Sequence, residues 1–143
     1  MILFVGSEEK GYFVKEVAKK RGWDMEYVHA KLHIQEQVSE ILSKQYVDYV
    51  VYDVSQYESS ADEIADEIVK IKKANNAKPI IFAEGYSKEM LVIRRLIFSG
   101  VTAFIFDSFL ADKIQTLAMC LDGTNEEFVT EEAEVQQESE TES

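Results

Sequence analysis

Asp53 is the side chain whose position most suggests chemistry. It ends the run Asp-Tyr-Val-Val-Tyr-Asp, which begins at Asp48 and is typical of a buried strand. In open α/β sheets, functional side chains lie at the carboxyl ends of the strands. Glu8, Glu84 and Asp107 each follow another predicted strand, so they could join Asp53 at one edge of a sheet. Hard oxygen ligands at a common edge can bind Ca²⁺ or Mg²⁺, and these four carboxylates are a candidate cation cluster.

The first loop resembles a nucleotide-binding loop only in its glycines. Gly6 and Gly11 have the spacing of a phosphate-binding loop, but Tyr12 and Phe13 stand where that loop needs Lys and Ser or Thr. The two glutamates between the glycines would repel a triphosphate. Nucleotide and flavin binding are therefore disfavoured, and no cofactor is predicted.

The remaining reactive side chains lack the partners that catalysis needs. His29 and His33 are four residues apart, but they bracket a predicted loop without a third ligand, so we expect them to face solvent. Cys120 lies in an apolar stretch of the last predicted helix and is expected to be a small core thiol. No catalytic triad or metal-ligand set emerges, and the chain is predicted not to be an enzyme.

The elements that must position these residues alternate regularly. Short apolar runs typical of buried strands occur five times, and a segment with helical periodicity follows each of them. The predicted strands cover residues 2–6, 23–29, 46–54, 79–83 and 101–106. The predicted helices cover residues 8–21, 33–44, a third segment capped by Ser59 or Ser60, 87–99 and 110–121. This alternation predicts an α/β fold with a five-stranded parallel sheet and helices on both faces.

Charge divides the chain into two parts. Of its 143 residues, residues 124–143 contain eight glutamates and no Lys, Arg or Asp, whereas residues 1–123 carry a formal charge of only −4. This predicts one domain over residues 1–123 and an acidic disordered tail over residues 124–143. The acidic balance argues against nucleic acid and anionic membranes as partners. A single cysteine and the lack of a long apolar segment favour a soluble cytoplasmic protein.

With these elements in place, the chain resembles a response-regulator receiver domain. The run ending at Asp53 parallels the Asp-Leu-Val-Leu-Leu-Asp of that family, whose last aspartate accepts a phosphoryl group. Pro-Ile-Ile from Pro79 matches the start of the family's fourth strand, and Gly-Val-Thr-Ala-Phe from Gly100 matches the segment before its fifth strand. The resemblance covers residues 1–123 and implies a flavodoxin-like three-layer sandwich.

This chain replaces most of the polar residues that carry out the phosphoryl switch in that family. Gly6 and Ser7 stand where receivers carry the acidic pair that holds Mg²⁺, Glu84 replaces a Ser or Thr, and Asp107 replaces a Lys. Phosphoryl transfer depends on cations that neutralise the phosphoryl oxygens. The resemblance therefore implies an atypical receiver that is not phosphorylated in the usual way. The alternatives are a true phosphoacceptor that uses Asp53, or a flavodoxin-like domain that binds a small ligand or a divalent cation.

The fourth predicted helix has more apolar residues than one core-facing stripe requires. The excess predicts an interaction surface that comprises Met90, Ile93, Arg94, Ile97 and Phe104. The alternative is that flanking loops and the fifth strand cover these residues. Receivers often dimerise through this face, so the resemblance favours the first interpretation.

The combined prediction is a non-catalytic receiver-like signalling module that binds other proteins and forms a homodimer. Similar modules that cannot be phosphorylated occur at the N-terminus of ParA-type ATPases used in pilus localisation. The resemblance therefore implies a ParA-type ATPase or a sensor protein as a further partner.

Overall fold

The structure, a computed structural model, describes residues 1–124. Five strands alternate with five α-helices along these residues, as the sequence predicts. In chain order they are β1 (Ile2–Val5), α1 (Tyr12–Arg21), β2 (Met25–Val28), α2 (Val38–Ser43), β3 (Tyr49–Asp53), α3 (Ala61–Asn75), β4 (Lys78–Phe82), α4 (Leu91–Phe98), β5 (Phe104–Ile105) and α5 (Leu110–Asp122). The predicted acidic tail lies outside the described residues, except for Thr124.

The five strands form one parallel sheet in the order β2-β1-β3-β4-β5. From β1 the chain crosses to β2 on one side and then returns past β1 to β3 on the other side. The loops that leave β1 and β3 therefore diverge from each other, which opens a crevice at the carboxyl ends of the strands. The predicted α/β fold class, flavodoxin-like, is confirmed.

Two hydrophobic cores cover the two faces of the sheet. Helices α1 and α5 pack on one face, where Phe4, Val51 and Phe82 point toward them. Helices α2, α3 and α4 cover the other face, where Leu3 and Tyr52 lie. Because the central strands are buried on both faces, their sequences are continuous apolar runs and do not alternate.

Several predicted elements are longer than the real ones because neighbouring residues serve as caps and turns. The amide of Val101 donates to the carbonyl of Leu96 at 3.0 Å, so residues 100–101 close α4 and β5 begins only at Phe104. The fourth helix starts at Leu91 because a turn between Ser87 and Met90 precedes it. The second predicted helix divides into a 3₁₀ turn, Ile34–Glu36, and α2.

The third helix begins where its cap is predicted. The hydroxyl of Ser60 accepts a hydrogen bond from the amide of Glu63 at 3.2 Å, which satisfies one of the free N–H groups of the first turn. No helix within residues 1–124 is long and apolar enough to cross a membrane.

Candidate functional site

Asp53 lies at the crevice, but its carboxylate is used locally. It is the last residue of β3 and only 5% exposed. Its Oδ1 atom accepts hydrogen bonds from the amide of Ser55 at 3.1 Å and from the hydroxyl of Ser55 at 2.6 Å. The carboxylate thereby caps the 3₁₀ turn Val54–Gln56 that follows the strand. Asp53 is therefore a strand-end carboxylate that is hydrogen-bonded within its own loop.

Gly6 leaves no room beside Asp53 for the first residue of the acidic pair of a receiver. A Cβ atom on Gly6 would lie 2.7 Å from Cε2 of Phe4 and 3.1 Å from Cβ of Asp53, and the φ of Gly6 is +155°. Gly11, at the end of the same loop, is equally confined, since its Cβ would lie 2.6 Å from the Phe4 ring. The hydroxyl of Ser7 accepts from the amide of Lys10 at 3.2 Å and so stabilises the loop turn. The loop packs directly onto β1, and side chains at its first residue are excluded sterically.

Glu84 is neutralised by two lysines that the sequence did not reveal as site residues. Its carboxylate accepts a hydrogen bond from Nζ of Lys113 at 3.0 Å and forms an ion pair with Lys10 at 3.5 Å. The hydrogen bond from Lys113 lowers the pKa of Glu84, and the charges of both lysines act in the same direction. The Lys113 ammonium also lies over the rings of Phe13 and Phe82, at 5.7 and 5.3 Å from their centroids. A cation therefore occupies this edge, but it comes from α5 and not from the residue after β5.

The four predicted cation ligands do not form a site. Asp107 accepts a hydrogen bond from the hydroxyl of Thr116 at 2.6 Å, while Asp53 and Glu84 hold the partners described above. Glu8 is exposed. Within residues 1–124, no group of three or more His, Cys, Asp and Glu side chains could hold a metal ion. The predicted cluster of Glu8, Asp53, Glu84 and Asp107 is not formed, because Asp53, Glu84 and Asp107 each have a hydroxyl or an ammonium as their partner.

A buried amide network fixes the loop that follows Asp53. Nε2 of Gln56 donates to the backbone carbonyls of Val5 and Asp53, at 2.9 and 2.7 Å. Its Oε1 accepts from Gln37, whose own Oε1 accepts from the hydroxyl of Tyr57 at 2.6 Å. Burial raises the pKa of Tyr57, so its hydroxyl remains a donor. The network ties the loop after β3 to the loop after β2 and holds both against β1.

The sequence contained one signal for this network that was missed. Gln37 stands between Ile34 and Ile41, at helical spacing on an otherwise apolar stripe. It is 1% exposed, and a polar side chain in such a position requires buried partners. No comparable signal exists for Lys113, whose partner is 29 residues away in sequence.

The histidines and the cysteine lie as predicted. His29 and His33 are exposed, and Nδ1 of His33 is 3.3 Å from the hydroxyl oxygen of Ser59. Cys120 is buried in the core between α5 and the sheet.

The predicted interaction surface on α4 needs correction. Ile93 is 0% exposed and Phe104 is 3% exposed, because Ile93 and Leu96 form the side of α4 that covers the sheet. Ile97 is partly buried against the same core. Both Ile93 and Phe104 are therefore excluded from the surface.

The outward side of α4 is apolar as well. The exposed fraction is 45% for Met90, 63% for Leu91 and 80% for Phe98, and Arg94 is exposed between them. We call these four residues the α4 surface. Leu91, Arg94 and Phe98 follow one helical stripe, and a shallow groove of about 570 Å³ runs along it. The neighbouring Arg95 pairs with Asp62 of α3 at 3.1 Å.

Two solved structures are similar to the chain at the level of the fold. One is the solution structure of the beryllofluoride-activated NtrC4 receiver domain dimer, with 15% identity and a TM-score of 0.56, covering 89% of this chain and 98% of that one. The other is a fusion that contains the yeast Spc42 trimeric coiled coil, with 15% identity and a TM-score of 0.61, covering 98% of this chain and 91% of that one. No protein-family model and no curated protein matches the chain.

The steric closure at Gly6 predicts a specific loss of stability. Gly6→Ala is expected to lower the free energy of unfolding by about 3 kcal/mol, since the new methyl group adds a clash with Phe4 to backbone strain. Gly85→Ala is the matched control: its φ is +76°, but a Cβ there has no neighbour within 4 Å. That change should cost only about 1 kcal/mol. Urea unfolding of both variants measures the two losses of unfolding free energy. Equal losses would show that a side chain at position 6 does not clash with Phe4.

The ion pair of Glu84 predicts a dependence of stability on pH. Because the pKa of Glu84 is lowered in the folded state, the unfolded chain binds the proton more tightly than the folded chain does. The ion pair therefore stabilises the fold at pH values above 4.5, the ordinary pKa of the group. Glu84→Gln should therefore lower the free energy of unfolding at pH 7 by up to about 1 kcal/mol.

The difference between the wild type and Glu84→Gln should shrink as the pH falls below 4.5, which urea unfolding at several pH values can measure. The control is Glu9→Gln, at an exposed carboxylate in the first loop. A difference for Glu84→Gln that stays constant down to pH 3 would show that the lowered pKa does not stabilise the fold.

Proposed function

We propose that the chain is a non-catalytic, receiver-like module that acts through protein contacts, including self-association through the α4 surface. Its conformation is set by assembly and not by phosphorylation of Asp53. The observation that carries this proposal is the exposure of Leu91 and Phe98 on a helix whose other side already completes the core.

The α4 surface exposes apolar side chains whose burial would favour association. Burial of one Leu or Phe side chain contributes about 1.5–3 kcal/mol. In a twofold dimer each copy supplies the same patch, so Leu91 and Phe98 would each count twice. Arg94 lies between them, and Lys88 and Glu89 line the same groove. In a symmetric pairing, Arg94 of one copy can meet Glu89 of the other, which fixes the register.

The likeness to a receiver domain dimer supports this arrangement. The similar solved structure is a dimer of a receiver domain, and its fold extends over most of this chain. We infer that the further partner is a ParA-type ATPase or a sensor protein, which are the classes that the receiver resemblance suggests.

The closed carboxyl edge supports a role without phosphoryl chemistry. Asp53 is hydrogen-bonded to Ser55, and Gly6 leaves no space for a Mg²⁺ ligand beside it. Lys113, a candidate phosphate-binding cation, is hydrogen-bonded to Glu84. A phosphoryl group at Asp53 would have to displace the Ser55 contacts and would lack the metal that neutralises its charge.

Self-association predicts a change of mass in solution. Wild-type protein is expected to approach the dimer mass as its concentration rises, whereas Leu91→Asp and Phe98→Asp remain monomeric, because a carboxylate replaces the apolar contact. Light scattering and sedimentation equilibrium measure these masses. Both positions are exposed, so the core is unaffected, and Asp at the first residue of α4 is favourable for the helix.

Tyr46→Asp is the control, since Tyr46 is 89% exposed outside the α4 surface. Its backbone is left-handed, with a φ of 60°, a conformation that Asp tolerates. This variant should dimerise like the wild type. A monomeric wild type, or a dimer that persists in both α4 variants, would refute the interface.

The proposal also predicts that Asp53 is not phosphorylated by a small phosphodonor. Incubation with acetyl phosphate and Mg²⁺ should leave the intact mass of the protein unchanged, because the site lacks metal ligands and its carboxylate is engaged. Mass spectrometry of the wild type and of Asp53→Asn provides the test. A phosphoryl adduct on the wild type that is absent from Asp53→Asn would instead establish the phosphoacceptor alternative.

A further inference from the structure

A pocket lies at the amino edge of the sheet, opposite to the site described above. Its volume is about 310 Å³, and it is bounded by the end of α3, the start of β4 and the turn that joins α4 to β5. Ligand sites in proteins usually measure about 300–1,000 Å³. The pocket is at the small end of this range, which suits a ligand with one ring or one short branched chain.

The last turns of α3 give the pocket an apolar part and a cationic part. Ile68 and Val69 line it with apolar side chains. Lys72 and Lys73 also line it, each four residues after one of these two residues and therefore on the same side of the helix. Val101, in the turn before β5, adds to the apolar part. A ligand in the pocket would therefore contact apolar groups and ammonium groups at the same time.

The two lysines of α3 are available to a ligand. Lys72 and Lys73 are exposed, and among residues 1–124 no ion pair is formed by either. Lys78 also borders the pocket, but its ammonium donates to the carbonyl of Cys120 at 3.2 Å, at the end of α5 on the other face of the sheet. The cationic part of the pocket is therefore formed by the side chains of Lys72 and Lys73.

The pocket stays positive when the neighbouring helix ends are included. Helices α3 and α4 both end beside it, and the carbonyl end of a helix carries about half a negative charge. Two such ends amount to roughly one negative charge, which offsets only one of the two ammonium groups. None of the residues that line the pocket, all of them within residues 1–124, is acidic. The remaining charge favours an anion.

We propose that this pocket binds a small organic anion, made of an apolar ring or branched chain and one carboxylate or phosphate group. The apolar part contacts Ile68, Val69 and Val101, and the anionic group pairs with Lys72 and Lys73. This inference goes beyond the protein contacts proposed above. It does not rest on self-association, because the pocket lining does not include the α4 surface.

Titration of the isotopically labelled full-length chain with benzoate, followed by its amide resonances, tests the proposal. Benzoate combines one ring with a carboxylate, so it should shift the resonances of the residues that line the pocket. Benzamide has the ring without the charge and acetate has the charge without the ring, and both should bind at least about 5-fold more weakly. Phenyl phosphate should shift the same resonances as benzoate. The tighter binder of these two identifies the anionic group, and either result supports the proposal.

Substitution of the lysines tests which charges the anion meets. Lys72→Gln combined with Lys73→Gln should weaken benzoate binding at least about 5-fold, because two exposed ion pairs are lost. The matched control is Lys19→Gln combined with Lys20→Gln, at an exposed lysine pair in the last turn of α1 that does not line the pocket. This control should bind benzoate like the wild type. All four positions are exposed, so both variants should fold.

Three results would overturn the proposal. Equal losses in the two double variants, or equal affinities for benzoate and acetate, would show diffuse charge attraction only. Benzamide that binds as tightly as benzoate would show an apolar cavity without selectivity for anions. Pocket resonances that do not shift with benzoate would show that the pocket does not take such a ligand.

Discussion

The rest of the structure depends on burial of the central strands β1, β3 and β4 on both faces. Side chains such as Phe4 on one face and Tyr52 on the other are almost fully excluded from water. A parallel sheet of this kind must be covered by helices on both sides, and right-handed crossovers supply them. All strand ends then share one edge, and most helix ends share the other. The position of each polar residue follows from this arrangement.

The same constraint accounts for the pairing of polar groups at the carboxyl edge. Polar groups there are close to an apolar core, so each needs a partner. Asp53 has Ser55, Glu84 has Lys113, and Gln56 ties the adjoining loops together. These hydrogen bonds hold the loops at this edge in place, and Gly6 lets the first loop pack closely against Phe4 and Asp53.

The fold was predictable from the sequence because apolar runs and helical periodicity record burial directly. Details that depend on tertiary contacts were not predictable from the sequence. Ile93 and Leu91 are equally apolar, and only the rotation of α4 against the sheet decides which is buried. Lys113 reaches Glu84 because α5 packs beside α1. The two residues are 29 positions apart in the sequence, so no local sequence pattern indicates their contact. The four-carboxylate cluster failed for the same reason: strand order brings the residues to one edge, but side-chain partners decide whether they face one another.

The carboxyl edge of the sheet and the outward side of α4 differ in what a binding partner could contact there. At the carboxyl edge, Asp53, Glu84 and Asp107 each have a partner within the chain, so a ligand for these carboxylates would first have to break those bonds. Leu91 and Phe98 differ, because Ile93 and Leu96 already complete the core and the outward pair contributes little to folding. A polar residue at either position would be compatible with the fold. Exposed Leu and Phe on one helical stripe would gain free energy by leaving water in a complex, and the proposed self-association rests on that gain.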